Sequence, residues 1–269
     1  VTEPGLADVA VVNTCGFIQS AKEEAIETIL ELGKLKEDGT LKKIVVTGCL
    51  VERYKEQVAE QFPEADAVVG IGSNKDITDV LDHVLANERY IKFAPKLDAE
   101  LTGERIISTL PFFSYLKVAE GCSNCCTYCA IPQIRGKFRS VPMEDVPKEA
   151  RWLAENGVTE LVVIAQDTSR YGEDLYGESK LPELLRELCK IEGLRWIRTL
   201  YCYPERITDE LLETIASEEK LVKYMEIPIQ HCNKDILSRM NRWGSTEGLE
   251  ALFAHIREKI PGVILRTTL

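Results

Sequence analysis

Glu120-Gly121-Cys122-Ser123-Asn124-Cys125-Cys126-Thr127-Tyr128-Cys129-Ala130-Ile131-Pro132 is the stretch around which the chain is organised. It holds four of the nine cysteines and follows the apolar run at residues 113–118. Cys122, Cys126 and Cys129 have the spacing C-x3-C-x2-C. Three soft thiolates on one loop can hold three irons of an iron–sulfur cubane and leave its fourth iron open, as catalytic metal sites do.

The same stretch can also be interpreted as a zinc knuckle. Cys122 and Cys125, and then Cys126 and Cys129, form two C-x2-C pairs. Zinc sites usually bring together two pairs from well-separated segments, whereas these pairs abut. The spacing therefore favours the cluster, with Cys125 as a neighbour that is not a ligand.

This loop resembles the cluster-binding loop of the radical S-adenosylmethionine (SAM) enzymes. The resemblance implies a [4Fe-4S] cluster on Cys122, Cys126 and Cys129, whose open iron chelates the amino and carboxylate groups of SAM. Tyr128, the aromatic residue before the last thiol, is expected to contact the cofactor.

Composition indicates an ordinary globular protein. The 269 residues are 45% hydrophobic and 29% charged, which allows one large or two modest domains. No run approaches the roughly 18 apolar residues of a membrane span. Nine cysteines in a chain of this size favour a reducing compartment and metal chemistry, and we expect a cytoplasmic protein. The net charge of -11 argues against direct nucleic-acid binding and suits a basic protein partner.

A first α/β unit is predicted from alternating buried strands and helices. Strands are expected at residues 8–13, 41–47 and 67–70, and helices at 20–36, 52–61 and from a cap at Asn74 to 85. The alternation, without a hairpin signal, predicts a doubly wound parallel sheet. Cys15 and Cys49 each follow a strand, at the sheet edge where ligands bind, and Gly16 and Gly48 would let the backbone approach a bulky group.

Asn13-Thr14-Cys15-Gly16-Phe17 and Val46-Thr47-Gly48-Cys49 resemble the N-terminal domain of methylthiotransferases. That family binds a second [4Fe-4S] cluster through three cysteines. The resemblance assigns two ligands here, Cys15 and Cys49. In that family the first of the three cysteines lies on an earlier strand, and this chain, both of whose ends look cut, is expected to start after that point.

Residues 89–110 are charged, contain Pro95 and Gly103, and are predicted to connect two domains, with room for a short strand. A partial (β/α) barrel is predicted to follow. Its strands are expected at residues 113–119, 160–165, 196–200, 224–227 and 263–268, and its helices at 143–156, 181–191, 209–217, 234–240 and 246–259. The predicted domains are 1–88, an N-terminal methylthiotransferase domain without its first strand, and 111–269, a radical SAM core truncated at its C-terminus.

Polar residues collect on the loops that follow the barrel strands, where chemistry lies in such folds. Gln166 begins Gln-Asp-Thr-Ser-Arg-Tyr-Gly, which resembles a segment of the RimO-type methylthiotransferases. That resemblance runs from Asp8 to Leu269. Gln166 and Gln230 are candidates for SAM contacts, and Arg266 could pair with the SAM carboxylate through its planar fork. A structural role is expected for His231 rather than a catalytic one. Cys189 is expected in the core, and no role is assigned to Cys202 and Cys232.

The resemblance implies a radical SAM transferase that inserts a methylthio group at the β-carbon of an aspartate in a small-subunit ribosomal protein. Two SAM molecules, two clusters, an electron donor and a sulfur donor are implied with it. An unactivated carbon has no useful acidity, so the cofactor must supply the chemistry. Alternatives are a transfer-RNA adenosine methylthiotransferase of the same chemistry, and a non-catalytic iron–sulfur or zinc-binding protein.

Overall fold

The structure is a computed structural model that describes residues 6–103 and 105–269. The chain divides into two compact units. The first unit comprises Val1–Glu100 together with Ala130–Gly136, and the second unit comprises Leu101–Cys129 and Lys137–Leu269. A short segment that follows the three-cysteine loop therefore belongs to the first unit, although the sequence around it belongs to the second.

The first unit is built on a parallel sheet that has four strands in its described part, in the order β1-β2-β3-β4. The strands are β1 (Val9–Thr14), β2 (Lys43–Gly48), β3 (Ala67–Val69) and β4 (Tyr90–Lys92). The helices are α1 (Gln19–Glu37), α2 (Cys49–Tyr54), α3 (Glu56–Gln61), α4 (Ile77–Leu85) and α5 (Ile131–Arg135).

Alternate residues of the central strands pack on opposite faces of this sheet. Ile44, Val46 and Val68 join one buried cluster, with α1 and α2. Val45 and Val69 join a second buried cluster, with α4. Successive side chains of a strand point to opposite faces, so a continuous apolar run is what a sheet covered on both sides requires. The prediction of a doubly wound parallel sheet is confirmed.

Two local features of the first unit differ from the sequence predictions, and a third had been allowed for. The helix predicted at residues 52–61 is interrupted at Lys55, whose φ of 39° ends α2 and separates it from α3. Asn74 does not cap a helix, because its side chain accepts a hydrogen bond from the Thr47 hydroxyl, and α4 begins only at Ile77. Strand β4 lies in the segment predicted as a connection, where a short strand was allowed for.

The second unit contains the strands of a partial barrel. Strands β5 (Phe113–Lys117), β8 (Glu160–Ile164) and β9 (Trp196–Thr199) pair in parallel, as do β10 (Tyr224–Glu226) and β11 (Ile264–Arg266). A parallel bridge between Ile197 and Leu221 connects β9 to the segment that leads into β10. The helices are α6 (Val146–Glu155), α7 (Glu173–Tyr176), α8 (Leu181–Cys189), α9 (Asp209–Ser217), α10 (Lys234–Arg239) and α11 (Thr246–Lys259).

One apolar cluster joins the strands of the second unit to its helices. Leu161, Leu184, Leu212 and Ile256 are among its members with at most 2% exposure. Side-chain caps begin three of the helices: Thr208 for α9, Asn233 for α10 and Ser245 for α11. None of the helices that the structure describes combines the length and apolar character that crossing a bilayer requires.

A short antiparallel ladder in the second unit was not predicted. Strands β6 (Ala119–Glu120) and β7 (Arg139–Ser140) pair with each other. The segment between these two strands contains all four cysteines of the central stretch.

The fold class is confirmed as α/β, with an N-terminal parallel sheet followed by a partial barrel. The predicted domain limits at 88/89 and 110/111 remain predictions, and residues 1–5 and Glu104 lie outside the described residues.

Candidate functional site

The three-cysteine loop presents its four thiols differently. Cys122 and Cys126 are each 6% exposed and Cys129 is half-buried. Cys125 is exposed, and its φ of 54° turns it into the left-handed region that L residues rarely adopt. The structure thus separates Cys125 from the three thiols that the spacing selects.

Cys122, Cys126 and Cys129 are close enough to influence one another electrostatically. Burial, with smaller contributions from the charges of Asp167, Cys126 and Cys129, raises the pKa of the Cys122 thiol to about 11, although a hydrogen bond from the Asn124 backbone opposes the rise. Such a raised pKa disfavours the free thiolate in this pocket, which a bound cation would reverse.

Hydrogen bonds hold the loop from two directions. The Asn124 amide donates to Asp167 at 2.8 Å and accepts from the Arg170 guanidinium at 3.1 Å, so the loop is tied to the segment after β8. On the other side the Thr127 backbone N–H donates to Met240 O at 3.1 Å, and the Asn241 amide donates to Cys125 O at 3.1 Å. These bonds fix the loop backbone before any metal binds.

Asp167 is fully buried and belongs to the predicted Gln166–Gly172 segment. Burial raises its pKa, while hydrogen bonds from Asn124 and Ser169 and the charges of Arg206 and Arg170 oppose that rise. Because Asp167 is buried and has several partners, its position is well defined, and its hydrogen bond with Asn124 holds the cysteine loop in place.

The Cys126 sulfur lies beside two donors that sequence reasoning missed. The Tyr203 hydroxyl lies 3.6 Å from Cys126 Sγ, and Arg242 Nη1 lies 3.7 Å from it. Tyr203 is in the segment after β9, and Arg242 is between α10 and α11. No local pattern in the sequence indicates that either residue reaches the cysteine loop.

Gln166 and Glu226 each carry a buried acceptor atom near the C-terminal ends of the barrel strands. The Gln166 amide donates to Glu120 Oε1 at 3.1 Å, while its own Oε1 has no hydrogen-bond partner among the described residues. Glu226 Oε2 likewise has no partner in the described part of the chain, and Glu226 Oε1 pairs with Arg266 at 3.4 Å. Buried polar atoms are normally satisfied, so these two suit the polar groups of a ligand.

The remaining predicted cofactor contacts are placed as follows. Gln230 is half-buried with a φ of 70°, and its N–H donates to Thr268 O at 2.8 Å. Arg266 is largely exposed on β11. Tyr128 is 47% exposed, and burial together with Cys126 raises its pKa to about 12 although Arg242 opposes the shift.

Backbone strain is concentrated at this end of the second unit. Cys125, Tyr201, Gln230 and Asn241 all have a φ between 53° and 70°. Such conformations cost of order 1–3 kcal/mol each and persist where the surroundings impose them, often at functional sites.

The other side chains considered from sequence have ordinary surroundings. The His231 ring accepts a hydrogen bond from the Asn233 backbone at 2.9 Å, as a structural residue does. Cys189 packs against the core, Cys232 is exposed, and burial raises the pKa of the fully buried Cys202 to about 12.

Over residues 6–103 and 105–269 the structure brings together no group of three or more His, Cys, Asp or Glu side chains that could hold a metal ion. A cubane makes a different demand, because its thiolates bind separate irons. The donor set on this loop is three thiols, two of them buried, with N–H and O–H donors beside one sulfur. That chemistry fits an iron–sulfur cluster.

In the first unit, Cys15 and Cys49 occupy equivalent positions. The register of β1 and β2 pairs Thr14 with Gly48, so each cysteine is the next residue past the paired strand ends. A methyl carbon added at Gly16 would lie 2.7 Å from the backbone carbonyl of Cys49. The two cysteine segments are therefore in backbone contact, which a residue larger than glycine would prevent.

Two arginines accompany these thiols. The Arg135 guanidinium, at the end of α5, donates to Cys49 Sγ at 3.1 Å, and Arg53 donates to Gly16 O at 2.9 Å. Arg135 therefore places a positive charge beside the Cys49 sulfur, whereas Arg53 holds the backbone next to Cys15. The two thiolates do not by themselves supply the three ligands that the resemblance implies, so they do not fit a second cluster alone.

Two family models match the chain. The Radical SAM superfamily matches residues 116–269, and "Uncharacterized protein family UPF0004" matches residues 1–70. The chain therefore belongs to the radical SAM superfamily, a class whose members use a [4Fe-4S] cluster and SAM.

Curated relatives narrow this class. Proteins called "Ribosomal protein uS12 methylthiotransferase RimO" from Lachnoclostridium phytofermentans, Clostridioides difficile and a Thermoanaerobacter species are 52%, 50% and 45% identical to the chain, over 98%, 98% and 100% of it. The chain therefore belongs to the family of the RimO-type methylthiotransferases, a transferase family, and the predicted resemblance is confirmed. The chain spans 60%, 60% and 61% of the length of these relatives.

Solved structures support the fold. The radical SAM methyltransferase TsrM from Kitasatospora setae, with cobalamin and a [4Fe-4S] cluster bound, has a TM-score of 0.67 at 14% identity and covers 96% of this chain and 57% of its own. The cobalamin-dependent SAM radical enzyme OxsB, with aqua-cobalamin and SAM bound, has a TM-score of 0.64 at 15% identity, over 97% of this chain and 40% of its own. At these identities the likeness concerns the fold.

Proposed function

We propose that the chain contains the catalytic core of a methylthiotransferase that inserts a methylthio group at the β-carbon of an aspartate in small-subunit ribosomal protein uS12. The observation that carries the proposal is the grouping of Cys122, Cys126 and Cys129, with Cys125 turned outward, in a chain similar to proteins named for this activity. Two clusters and two SAM molecules complete the proposal.

The residues divide this work between the units. Cys122, Cys126 and Cys129 would hold the cluster of the second unit. When bound there and reduced, a [4Fe-4S] cluster would supply one electron for the reductive cleavage of SAM. The chain's own task is to fix the thiolates through Asn124 and Asp167, and to exclude water around them.

The strand-end residues of the second unit are proposed to bind SAM. Gln166 Oε1 and Glu226 Oε2, both buried, would accept hydrogen bonds from its amino or hydroxyl groups. Gln230 and Tyr128 are proposed to line the same cofactor site. Arg266 would have to release or share Glu226 in order to bind the SAM carboxylate.

The first unit is proposed to carry the sulfur that is transferred. Cys15 and Cys49 would ligate the second cluster together with a third cysteine that this chain does not supply. Arg135 places positive charge beside the Cys49 sulfur, and Arg53 holds the backbone carbonyl of Gly16, the residue after Cys15. An electron donor and a sulfur donor are required partners. A ribosomal substrate would place the enzyme in the cytoplasm.

The cluster assignment is tested by the reductive cleavage of SAM. Anaerobically reconstituted wild-type chain should form 5′-deoxyadenosine with dithionite as reductant. Cys126→Ala should lose this activity, while Cys125→Ala, the matched control one position away, should retain it. Retained 5′-deoxyadenosine formation in Cys126→Ala would refute the ligand assignment.

The substrate is tested separately, on a protein extended to the length of the curated relatives. Mass spectrometry should detect a methylthio group on uS12 and none on transfer RNA. Modified transfer RNA would reassign the enzyme to the adenosine-modifying type. Cys15→Ala should abolish methylthiolation yet preserve 5′-deoxyadenosine formation, because the two clusters have separate tasks.

A further inference from the structure

A positive charge is buried against the Cys126 sulfur. The Arg242 side chain belongs to a residue only 8% exposed, and its Nη1 lies 3.7 Å from Cys126 Sγ. Its guanidinium stacks over the Tyr203 ring, 4.1 Å from the ring centroid, and its Nη2 donates to Pro228 O. The Tyr203 hydroxyl lies 3.6 Å from the same sulfur. Two residues from different segments therefore converge on one cysteine.

Within the described part of the chain, no carboxylate balances this arginine. No Asp or Glu among the described residues forms an ion pair with Arg242, whereas Arg170 and Arg206 both pair with Glu173. Burying a guanidinium without an anionic partner is costly, and in proteins such charges are normally paired. The anionic partner that the geometry offers is the sulfur of Cys126, and with it the cluster that this sulfur would hold.

We propose that Arg242, supported by Tyr203, is a positioning residue that raises the reduction potential of the cluster through Cys126. This inference rests on the proposed function. Reduction adds one electron from an external reductant to the cluster and forms or breaks no bond. The reduced cluster is more negative by one charge, so a fixed cation and a hydroxyl donor at a ligand sulfur stabilise it more than the oxidised cluster.

The surroundings of the three sulfurs are unequal. The charge of Asp167 acts on Cys122, whereas the charge of Arg242 acts on Cys126. A negative group near one ligand and a positive group near another would draw the added electron toward the Cys126 side. The protein would thereby make the cluster easier to reduce, at the cost of some reducing power toward SAM.

The test measures the midpoint potential of the single cluster of the second unit. A Cys15→Ala/Cys49→Ala background removes the thiols of the first unit from all samples. In this background the unmodified site, Arg242→Gln, Arg242→Lys and Tyr203→Phe are reconstituted with iron and sulfide. They are then titrated anaerobically with dithionite while the reduced cluster is followed by electron paramagnetic resonance. Arg257→Gln, an exposed arginine on α11, is the control for the loss of one positive charge.

The expected results differ between the variants. Arg242→Gln should lower the reduced-to-oxidised ratio at the parent midpoint about tenfold, which is about 59 mV for one electron. Tyr203→Phe, which keeps the ring and loses the hydroxyl, should lower it about threefold. Arg242→Lys should stay within about threefold of the parent because the charge is kept, and Arg257→Gln should not change it.

Each contrary outcome has a definite meaning. An unchanged midpoint in Arg242→Gln with normal iron content would overturn the proposal and leave the proposed function intact. If Arg242→Gln fails to assemble a cluster, Tyr203→Phe decides, and an unchanged midpoint there rejects the inference. Failure of both variants to assemble a cluster also rejects the inference. Residues that only tune the reduction potential should not be needed for cluster assembly, since all three cysteine ligands are still present. A parent chain that binds no [4Fe-4S] cluster would instead contradict the proposed function.

Discussion

Replacing Gly16 or Gly48 by alanine should separate the two cysteine segments of the first unit. A methyl carbon at Gly16 would lie 2.7 Å from the carbonyl carbon and oxygen of Cys49. At Gly48 it would lie 2.5 Å from Thr14 O, and Gly48 also has a φ of 100°. Gly39 provides the matched control, because its φ is 76° and nothing lies within 4 Å of the added carbon.

These geometries rank the three substitutions. Gly39→Ala pays for its left-handed backbone alone, about 1 kcal/mol. Gly16→Ala should lower the unfolding free energy by about 1–3 kcal/mol, because the added methyl group meets backbone atoms, which cannot move aside as a side chain can. Gly48→Ala combines the left-handed backbone with the overpacking and should cost about 2–4 kcal/mol, which is a large fraction of the stability of a typical domain.

Amide hydrogen exchange with mass spectrometry resolves this ranking. Peptides that cover β1 and β2 should exchange fastest in Gly48→Ala, with a rate increase of about thirtyfold or more over the wild-type chain. Peptides from the barrel strands β8 and β9 serve as the internal reference and should not change. Equal exchange in Gly16→Ala and Gly39→Ala would refute the close backbone contact between Gly16 and Cys49.

Three further outcomes are expected. Asp66 accepts hydrogen bonds from Lys36 at 2.6 Å and from two other donors, which outweigh the rise that burial alone would cause and leave its pKa lowered. The ionised Asp66 should therefore stabilise the fold above the unfolded pKa of about 3.9, and this stabilisation should disappear as the pH falls through the folded pKa. At pH 7 the unfolding free energy of Asp66→Asn should be about 2 kcal/mol below that of the wild type. A difference that stayed constant from pH 7 to pH 3 would contradict this reasoning. Leu184→Ala, at a fully buried position, should lower the unfolding free energy by about 3 kcal/mol in urea titrations followed by tryptophan fluorescence, and a loss below about 1 kcal/mol would show that the site relaxes. Cys125→Ser should retain the iron of the reconstituted chain and Cys126→Ser should lose it, whereas loss of metal in both variants would favour a four-thiol site.

The sequence predicts best what local patterns encode. Strand β2 contains the apolar run Ile44-Val45-Val46 and strand β3 is Ala67-Val68-Val69, and such runs are typical of a parallel sheet that is buried on both faces. The spacing of Cys122, Cys126 and Cys129 is equally local, and it places them on one loop.

What depends on distant residues could not be predicted in the same way. Strand β4 consists only of Tyr-Ile-Lys and is preceded by polar residues, so its sequence has no clear strand pattern. Its place in the sheet is set by its pairing with β3. The ladder of β6 and β7 is two residues long on each side. Arg242 reaches Cys126 across 116 positions of sequence, and nothing near either residue indicates the contact.

Helix α5 has a consequence for how the protein folds during synthesis. The four described strands of the first unit end at Lys92, but α5, which brings Arg135 to Cys49, ends at residue 135. At the translation rates of living cells the ribosome needs roughly 2–9 s to add those residues. During that interval the nascent chain exposes Cys49 without its guanidinium partner, so delivery of iron and sulfide to this thiol should be most productive after α5 has emerged.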